Sequence, residues 1–217
     1  MDWFPRCTSA SNALPTNDTM PLRGLIALCK EVVTGYPILY GSGVISKILG
    51  DDMASNIGRL EGAADALEAR SGGGGDGGGS ATLGDLLSAP GASPHEAGVY
   101  GARWVSRTLR FVALLLQKLG ADPALSISAA GRATYTVAIA PYHQPVMAAV
   151  VSFVLWWAPS RAWVLSGPLG GASNQAASTA CAALSVLVGP VAEAVERALE
   201  DKKFNFHDRI SAIPGGW

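Results

Sequence analysis

The chain has 217 residues, 49% of them hydrophobic and 15% charged, with a formal charge of −1. So apolar a composition excludes intrinsic disorder, which needs low hydrophobicity and high net charge. The balance of 16 Lys+Arg against 17 Asp+Glu excludes the basic footprint of a nucleic-acid binder, and the length suits one domain with a sizeable core or at most two small ones.

Residues 1–20 are rich in Pro, Ser, Thr and Asn and read as a flexible N-terminal tail, ahead of one domain over 21–217. From Pro21 the chain reads as helices. Pro fits a first helical turn, Leu25, Ile26, Leu28, Val32 and Val33 form a helical stripe, and Gly35-Tyr36-Pro37 stops it. A second helix runs from Val44 to Arg70, carrying Ile48, Met53, Ile57, Leu60 and Leu67. Residues 71–80, SGGGGDGGGS, read as a flexible loop, because no Lys-Ser/Thr pair follows to make a phosphate cradle. A short helix is expected over Thr82–Leu87.

Ser93-Pro94-His95-Glu96 supplies a cap, a first-turn proline and an acidic partner for a helix ending at Gly120. Asp122-Pro123 starts another, running to about Tyr142, and Gln144-Pro145 breaks it. A helix to Trp157, a short one from Pro159-Ser160, a turn over 167–171 and a last helix from Ser173 to about Lys203 complete the order, with a bend expected at Gly189-Pro190. Sustained period-two alternation is missing, so the class is all-α with about eight helices.

A mean hydropathy of +0.26 raises the question of a membrane span. The most apolar stretch, Val146–Pro159, is shorter than the roughly 20 residues a spanning helix needs, and Ala180–Val195 is broken by Gly189-Pro190. Both read as core helices. The N-terminus lacks the basic-then-apolar order of a signal peptide, and Cys7, Cys29 and Cys181 show no metal spacing. A cytoplasmic protein with no cofactor and no metal is the expectation.

Three places hold candidate chemistry. Asp52, Asn56 and Arg59 are spaced i, i+4, i+7 and share one helix face. Spacing alone also describes an ordinary solvated face. On the Ser93–Gly120 helix, Tyr100, Trp104, Arg107 and Phe111 form one stripe and Val105, Leu109, Val112 and Leu116 another, as in a helix sandwiched between layers. Trp104 is either a core residue or a platform for a flat ligand. His143 shares a face with Tyr135 and Ile139, which suits a satisfied core histidine as well as a functional one. Neither a G-x-S-x-G elbow nor an HExxH motif is present, so no enzyme is expected.

Taken together, the three places resemble one family. DDMASNIGRLE (51–61) is similar to the D-x-x-x-N-x-x-K/R headgroup motif of glycolipid transfer proteins. RWVSRTLRFVALLLQKL (103–119) resembles that family's Trp-bearing helix, and ATYTVAIAPYHQPV (133–146) its segment ending in Tyr-His. The resemblance spans about residues 22–200 in order.

That resemblance implies a two-layer helical sandwich enclosing an apolar lipid tunnel beneath a polar headgroup site. It makes the protein a cytoplasmic, monomeric carrier that associates transiently with a membrane surface. Its cargo would be a glycosphingolipid of the glucosyl-, galactosyl- or lactosylceramide class. By resemblance, Asp52 accepts hydrogen bonds from the ceramide amide N–H and a sugar hydroxyl, Asn56 and Arg59 bind sugar hydroxyls, Trp104 stacks on the first sugar, and His143 donates to the amide carbonyl. Phe111, Ile139, Val150, Val151 and Leu155 match tunnel positions. A second branch of the family carries ceramide-1-phosphate, with a Lys where this chain has Asn56 and an Arg near the Trp104 position. A lipid sensor or adaptor on the same fold is the other alternative. Pro145 stands where the family usually places a membrane-inserting Trp, so Trp156, Trp157 and Trp163 are the docking candidates. The C-terminal HDRISAIPGGW has no clear counterpart.

Overall fold

The computed structural model describes residues 2–41, 43–71 and 80–204. The Gly-rich segment 72–79 and the C-terminal extension 205–217 lie outside the described residues. Ten α-helices and one 3-10 turn make up the described chain, and no strand is present among these residues. The all-α class is as the sequence predicts.

The first helix, α1 (Trp3–Asn12), corrects the expected flexible tail: Trp3, Phe4, Cys7 and Ser11 are buried. Trp3 Nε1 donates to the Glu31 carbonyl at 2.9 Å, and Arg6 pairs with Glu31 at 2.8 Å. Next comes α2 (Leu22–Val33). It stops just ahead of Gly35-Tyr36-Pro37, as expected, and the same segment then opens α3 (Tyr36–Tyr40), with Pro37 in its first turn. The long α4 (Val44–Arg70) has the predicted bounds. Thr82 caps α5 (Leu83–Ser88): Thr82 Oγ1 accepts from Asp85 N at 3.2 Å, and the Asp85 carboxylate accepts from Thr82 N at 2.9 Å.

Two predicted helix starts move downstream. α6 (Ala97–Ala121) is capped by Glu96, whose carboxylate accepts from Val99 N at 3.0 Å, rather than by Ser93. α7 (Ile127–Ala138) is capped by Ser126, while Asp122 satisfies only the loop N–H of Ala124. The expected run to Tyr142 ends early as well, and the 3-10 turn Ala140–Tyr142 follows. α8 (Pro145–Trp156) begins on Pro145, α9 (Arg161–Ser166) on a Ser160 cap, and α10 (Asn174–Asp201) on a Ser173 cap. Pro190 lies within α10.

α6 is the central element. It packs mainly against α10 on one side and α4 on the other, and every residue from Gly101 to Leu109 is buried. A helix apolar on two sides is what a middle position demands. By length and composition α10 is apolar enough to cross a membrane, yet here Leu184, Val188, Val191 and Val195 are buried in the core that α10 shares with α6. Gly101 sets how closely α6 meets α4: a Cβ there would lie 2.8 Å from the Asn56 carbonyl oxygen. Only a glycine lets the Trp104 segment of one helix come so near the Asp52–Asn56 segment of the other.

Candidate functional site

Between α3, α4, α6, α7 and α8 lies a cavity of about 930 Å³ of empty space, partly open to solvent. Its lining changes character along its length. At one end stand Asp52 and Asn56 from α4, Tyr100 and Trp104 from α6, and His143 from the segment before α8. The remainder is mostly apolar: Phe111, Ile139, Met147, Val151 and Leu155, with Ile48 and Leu49. Spacing explains how each helix contributes. Ile48, Asp52 and Asn56 repeat every four residues on α4, as do Met147, Val151 and Leu155 on α8. On α6, Tyr100, Trp104, Thr108 and Phe111 follow the i, i+4, i+8, i+11 stripe of one face.

Four of the five headgroup candidates therefore line one cavity. Arg59 does not line it; it stands behind the wall. Its guanidinium donates to Asn56 Oδ1 at 2.8 Å and sits 5.0 Å over the Tyr100 ring. Asn56 Nδ2 donates to the Asp52 backbone carbonyl at 3.0 Å, so the amide is held from both ends. Each end still has capacity for one more hydrogen bond. Among the tunnel candidates, Phe111, Ile139, Val151 and Leu155 line the cavity and Val150 does not. Val150 is 51% exposed, because its position on α8 is turned about 100° from Val151, away from the cavity. Trp156, Trp157 and Trp163 are all exposed, at 65%, 70% and 47%.

Burial shapes the electrostatics. Desolvation raises the Asp52 pKa above its ordinary value, and Arg59 offsets this only in part. Desolvation, reinforced by Arg107, pushes His143 down to about 4, so its imidazole is neutral at physiological pH. His143 Nδ1 lies 2.6 Å from the Tyr135 hydroxyl, and its ring stacks on Trp104 with centroids 5.6 Å apart. Behind Trp104, the buried Arg107 guanidinium lies 5.0 Å from that ring and 3.4 Å from the Tyr142 ring. Flat aromatic faces partly replace the lost water, and burial still lowers its pKa to about 10. The buried Arg103 reaches the carbonyls of Pro94 at 3.3 Å and Phe204 at 3.5 Å, and its guanidinium lies 5.3 Å from the Tyr100 ring. Among the described residues, no Lys or Arg side chain lines the cavity.

This arrangement offers one carboxylate acceptor, one neutral imidazole and one indole ring in the lining of a mostly apolar cavity. It fits an amphiphile with a polar head and an apolar body. Residues 20–166 match the family model described as glycolipid transfer protein (GLTP). The chain belongs to the glycolipid transfer protein family. No curated protein matches it. Solved structures of the GLTP fold agree over nearly their full length at low identity. Mouse ceramide-1-phosphate transfer protein, in its apo form, is 15% identical with a TM-score of 0.78, covering 94% of this chain and 98% of its own. The FAPP2 structure described as selecting simple glycosphingolipids is 18% identical with a TM-score of 0.72, covering 96% and 99%. The fungal glycolipid transfer protein HET-C2 is 16% identical with a TM-score of 0.71, covering 90% and 95%. GLTP-family proteins are lipid carriers that act at membranes.

Sequence reasoning missed Tyr36, Tyr100, Thr108, Tyr135 and Met147 as cavity residues. Tyr100, Thr108, Tyr135 and Met147 were within reach of it, since each stands four residues from a predicted site residue. Tyr36 lies in the segment read as a helix stop, so its placement depended on a helix the sequence did not reveal.

Proposed function

We infer that the protein carries a glycosphingolipid between membranes without making or breaking bonds. The polar head sits at Asp52, Asn56, Trp104 and His143, and the hydrocarbon lies along Phe111, Ile139, Val151 and Leu155. Arg59 acts from behind, by orienting the Asn56 amide. The observation that carries the reading is the lining of the cavity's polar end. A ceramide amide entering an apolar site must keep its hydrogen bonds or lose several kcal/mol of solvation. Asp52 accepts from its N–H and His143 donates to its carbonyl. The chains gain roughly 0.8 kcal/mol for each methylene taken out of water.

Solved relatives that take ceramide-1-phosphate and those that take glycosphingolipids are about equally similar, so the choice of head rests on the site itself. A phosphate monoester brings nearly two negative charges and calls for cations. Here Asn56 and Trp104 line the cavity, Arg103 reaches carbonyl oxygens, and Arg107 lies against two rings. An indole face suits the apolar side of a sugar.

A vesicle assay tests this directly. Labelled galactosylceramide and labelled ceramide-1-phosphate are offered in separate donor vesicles, with wild type and Trp104→Ala. The expected outcome is transfer of the glycolipid alone, abolished in the variant. Movement of only ceramide-1-phosphate would sink the headgroup assignment, and stable binding without transfer would make the protein a sensor.

A further inference from the structure

The bond between Tyr135 and His143 joins a fully buried phenol to a ring at the cavity's polar end. Tyr135 is 2% exposed. Its desolvated hydroxyl titrates far above the physiological range, so it keeps its proton and must place it somewhere. His143 Nδ1, at 2.6 Å, is its one hydrogen-bond partner among the described residues. A neutral imidazole carries a single proton. If the hydroxyl donates to Nδ1, that proton sits on Nε2. The ring has little freedom to escape the arrangement, with Trp104 stacked on it at an interplanar angle of 29° and the Tyr135 ring 5.8 Å away.

We propose that Tyr135 is a positioning residue that fixes the tautomer of His143, holding Nδ1 as an acceptor so that Nε2–H is presented to the lipid. This rests on the carrier reading, in which His143 must donate to an amide carbonyl. With the proton on Nδ1, the imidazole would turn a lone pair toward that carbonyl and repel it. The sequence spacing is consistent: Tyr135, Ile139 and His143 are four residues apart on one face, although a 3-10 turn interrupts the helix between them. Tyr135 thus controls recognition without touching the lipid head.

Nitrogen-15 NMR of histidine-labelled protein reads the tautomer without any lipid. The chain has three histidines, and His143→Gln identifies the relevant signals. Wild type is expected to show His143 neutral at pH 7, with its proton on Nε2. Tyr135→Phe is expected to mix the two tautomers and to weaken binding of a short-chain galactosylceramide about tenfold, the size of one hydrogen bond. Uniform 3-fluorotyrosine, a small change that makes the phenol a stronger donor, should move the Nδ1 resonance even if the Phe variant fails to fold. Three results overturn the proposal: a wild-type proton on Nδ1, an unchanged tautomer in Tyr135→Phe, or an Nδ1 signal indifferent to fluorination. Because the glycolipid and ceramide-1-phosphate share the same amide, the binding loss can be read on whichever lipid wild type takes. A wrong headgroup therefore stays distinguishable from a wrong role for Tyr135.

Discussion

Asp52 and His143 are both held toward their uncharged forms, one because a carboxylate loses water and the other because an imidazolium does. The folded-state pKa of Asp52 lies above its unfolded value, so keeping it ionised at neutral pH costs stability, and the cost fades once pH falls low enough to protonate it in both states. Asp52→Asn is therefore expected to raise Tm at pH 7, with the gain disappearing toward and below the ordinary carboxylate range. The same change should weaken glycolipid binding about 10- to 100-fold, the value of a hydrogen bond to a charged group. Thermal melts across pH together with a binding titration check both halves; a lower Tm at pH 7 would contradict the burial argument. His143 has the opposite linkage. Its pKa falls from 6.5 to about 4 on folding, so the unfolded chain takes up the proton first and stability declines as pH drops through that window. The sequence brought Asp52, Asn56, Trp104 and His143 together through three motifs that had to coincide, and the four line one cavity. The contacts of Tyr135 with His143 and of Tyr100 with Arg59 were not legible there, because periodicity tells which residues share a face and not what that face meets.

Helix α8 is apolar all round, which is why its pattern gave length and little else. Met147, Val151 and Leu155 look into the cavity, while Val146, Val150 and Phe153 face outward, at 77%, 51% and 58% exposure. Trp157 follows Phe153 at i+4, and their rings meet edge-on at 6.2 Å. A helix with no polar face is normally buried on all sides or set against lipid. The exposed side, with Trp156 beside it and Trp163 on α9, is the surface expected to meet a bilayer in place of a Trp at Pro145, since Trp favours the interface. Phe153→Ala with Trp157→Ala should slow vesicle-to-vesicle transfer about tenfold or more, from the apolar area lost, while soluble lipid binding is retained. An equal loss of both would place these residues in folding rather than docking. α10, which starts on its Ser173 cap, and α4, which has no side-chain cap, were both readable to within a residue or two. α1 was hidden because its buried stripe of Trp3, Cys7 and Ser11 ends in a serine, whose hydroxyl is satisfied by the Cys7 carbonyl at 2.8 Å. The start of α6 was misplaced because two capping side chains, Ser93 and Glu96, compete within four residues, and only tertiary packing selects one.

Across the whole molecule, α1 joins the two ends of the chain, packing on α2 near the start and on α10 near the end. Trp3 is the chief link. Its ring fills the space over Gly35, where a Cβ would come within 2.3 Å of it. Trp3→Ala is expected to cost about 3–5 kcal/mol, as for a large core aromatic, and to lower Tm by roughly 10 °C in a protein of this size. Thermal or urea unfolding measures it, and a change under about 1 kcal/mol would mean that α1 is only loosely attached. Composition foretold this scale better than any single motif did. A shell that must cover its own core and also line a cavity needs apolar residues on both sides of α6 and α8, and 49% hydrophobic content is the sum of those demands.

The two-sided α8 also bears on speed. A helix with its side chains is about 10 Å across. On the carrier reading, the hydrocarbon of a held lipid and that of a bilayer are then separated by one helix and nothing else. The barrier to handing the cargo over is the work of moving that helix aside, and water offers its outer face nothing in return. Contact with a bilayer would, so on this reading exchange is expected to be quicker there than leakage in transit. Turnover is then governed by dwell time at the bilayer surface more than by how tightly the lipid is held.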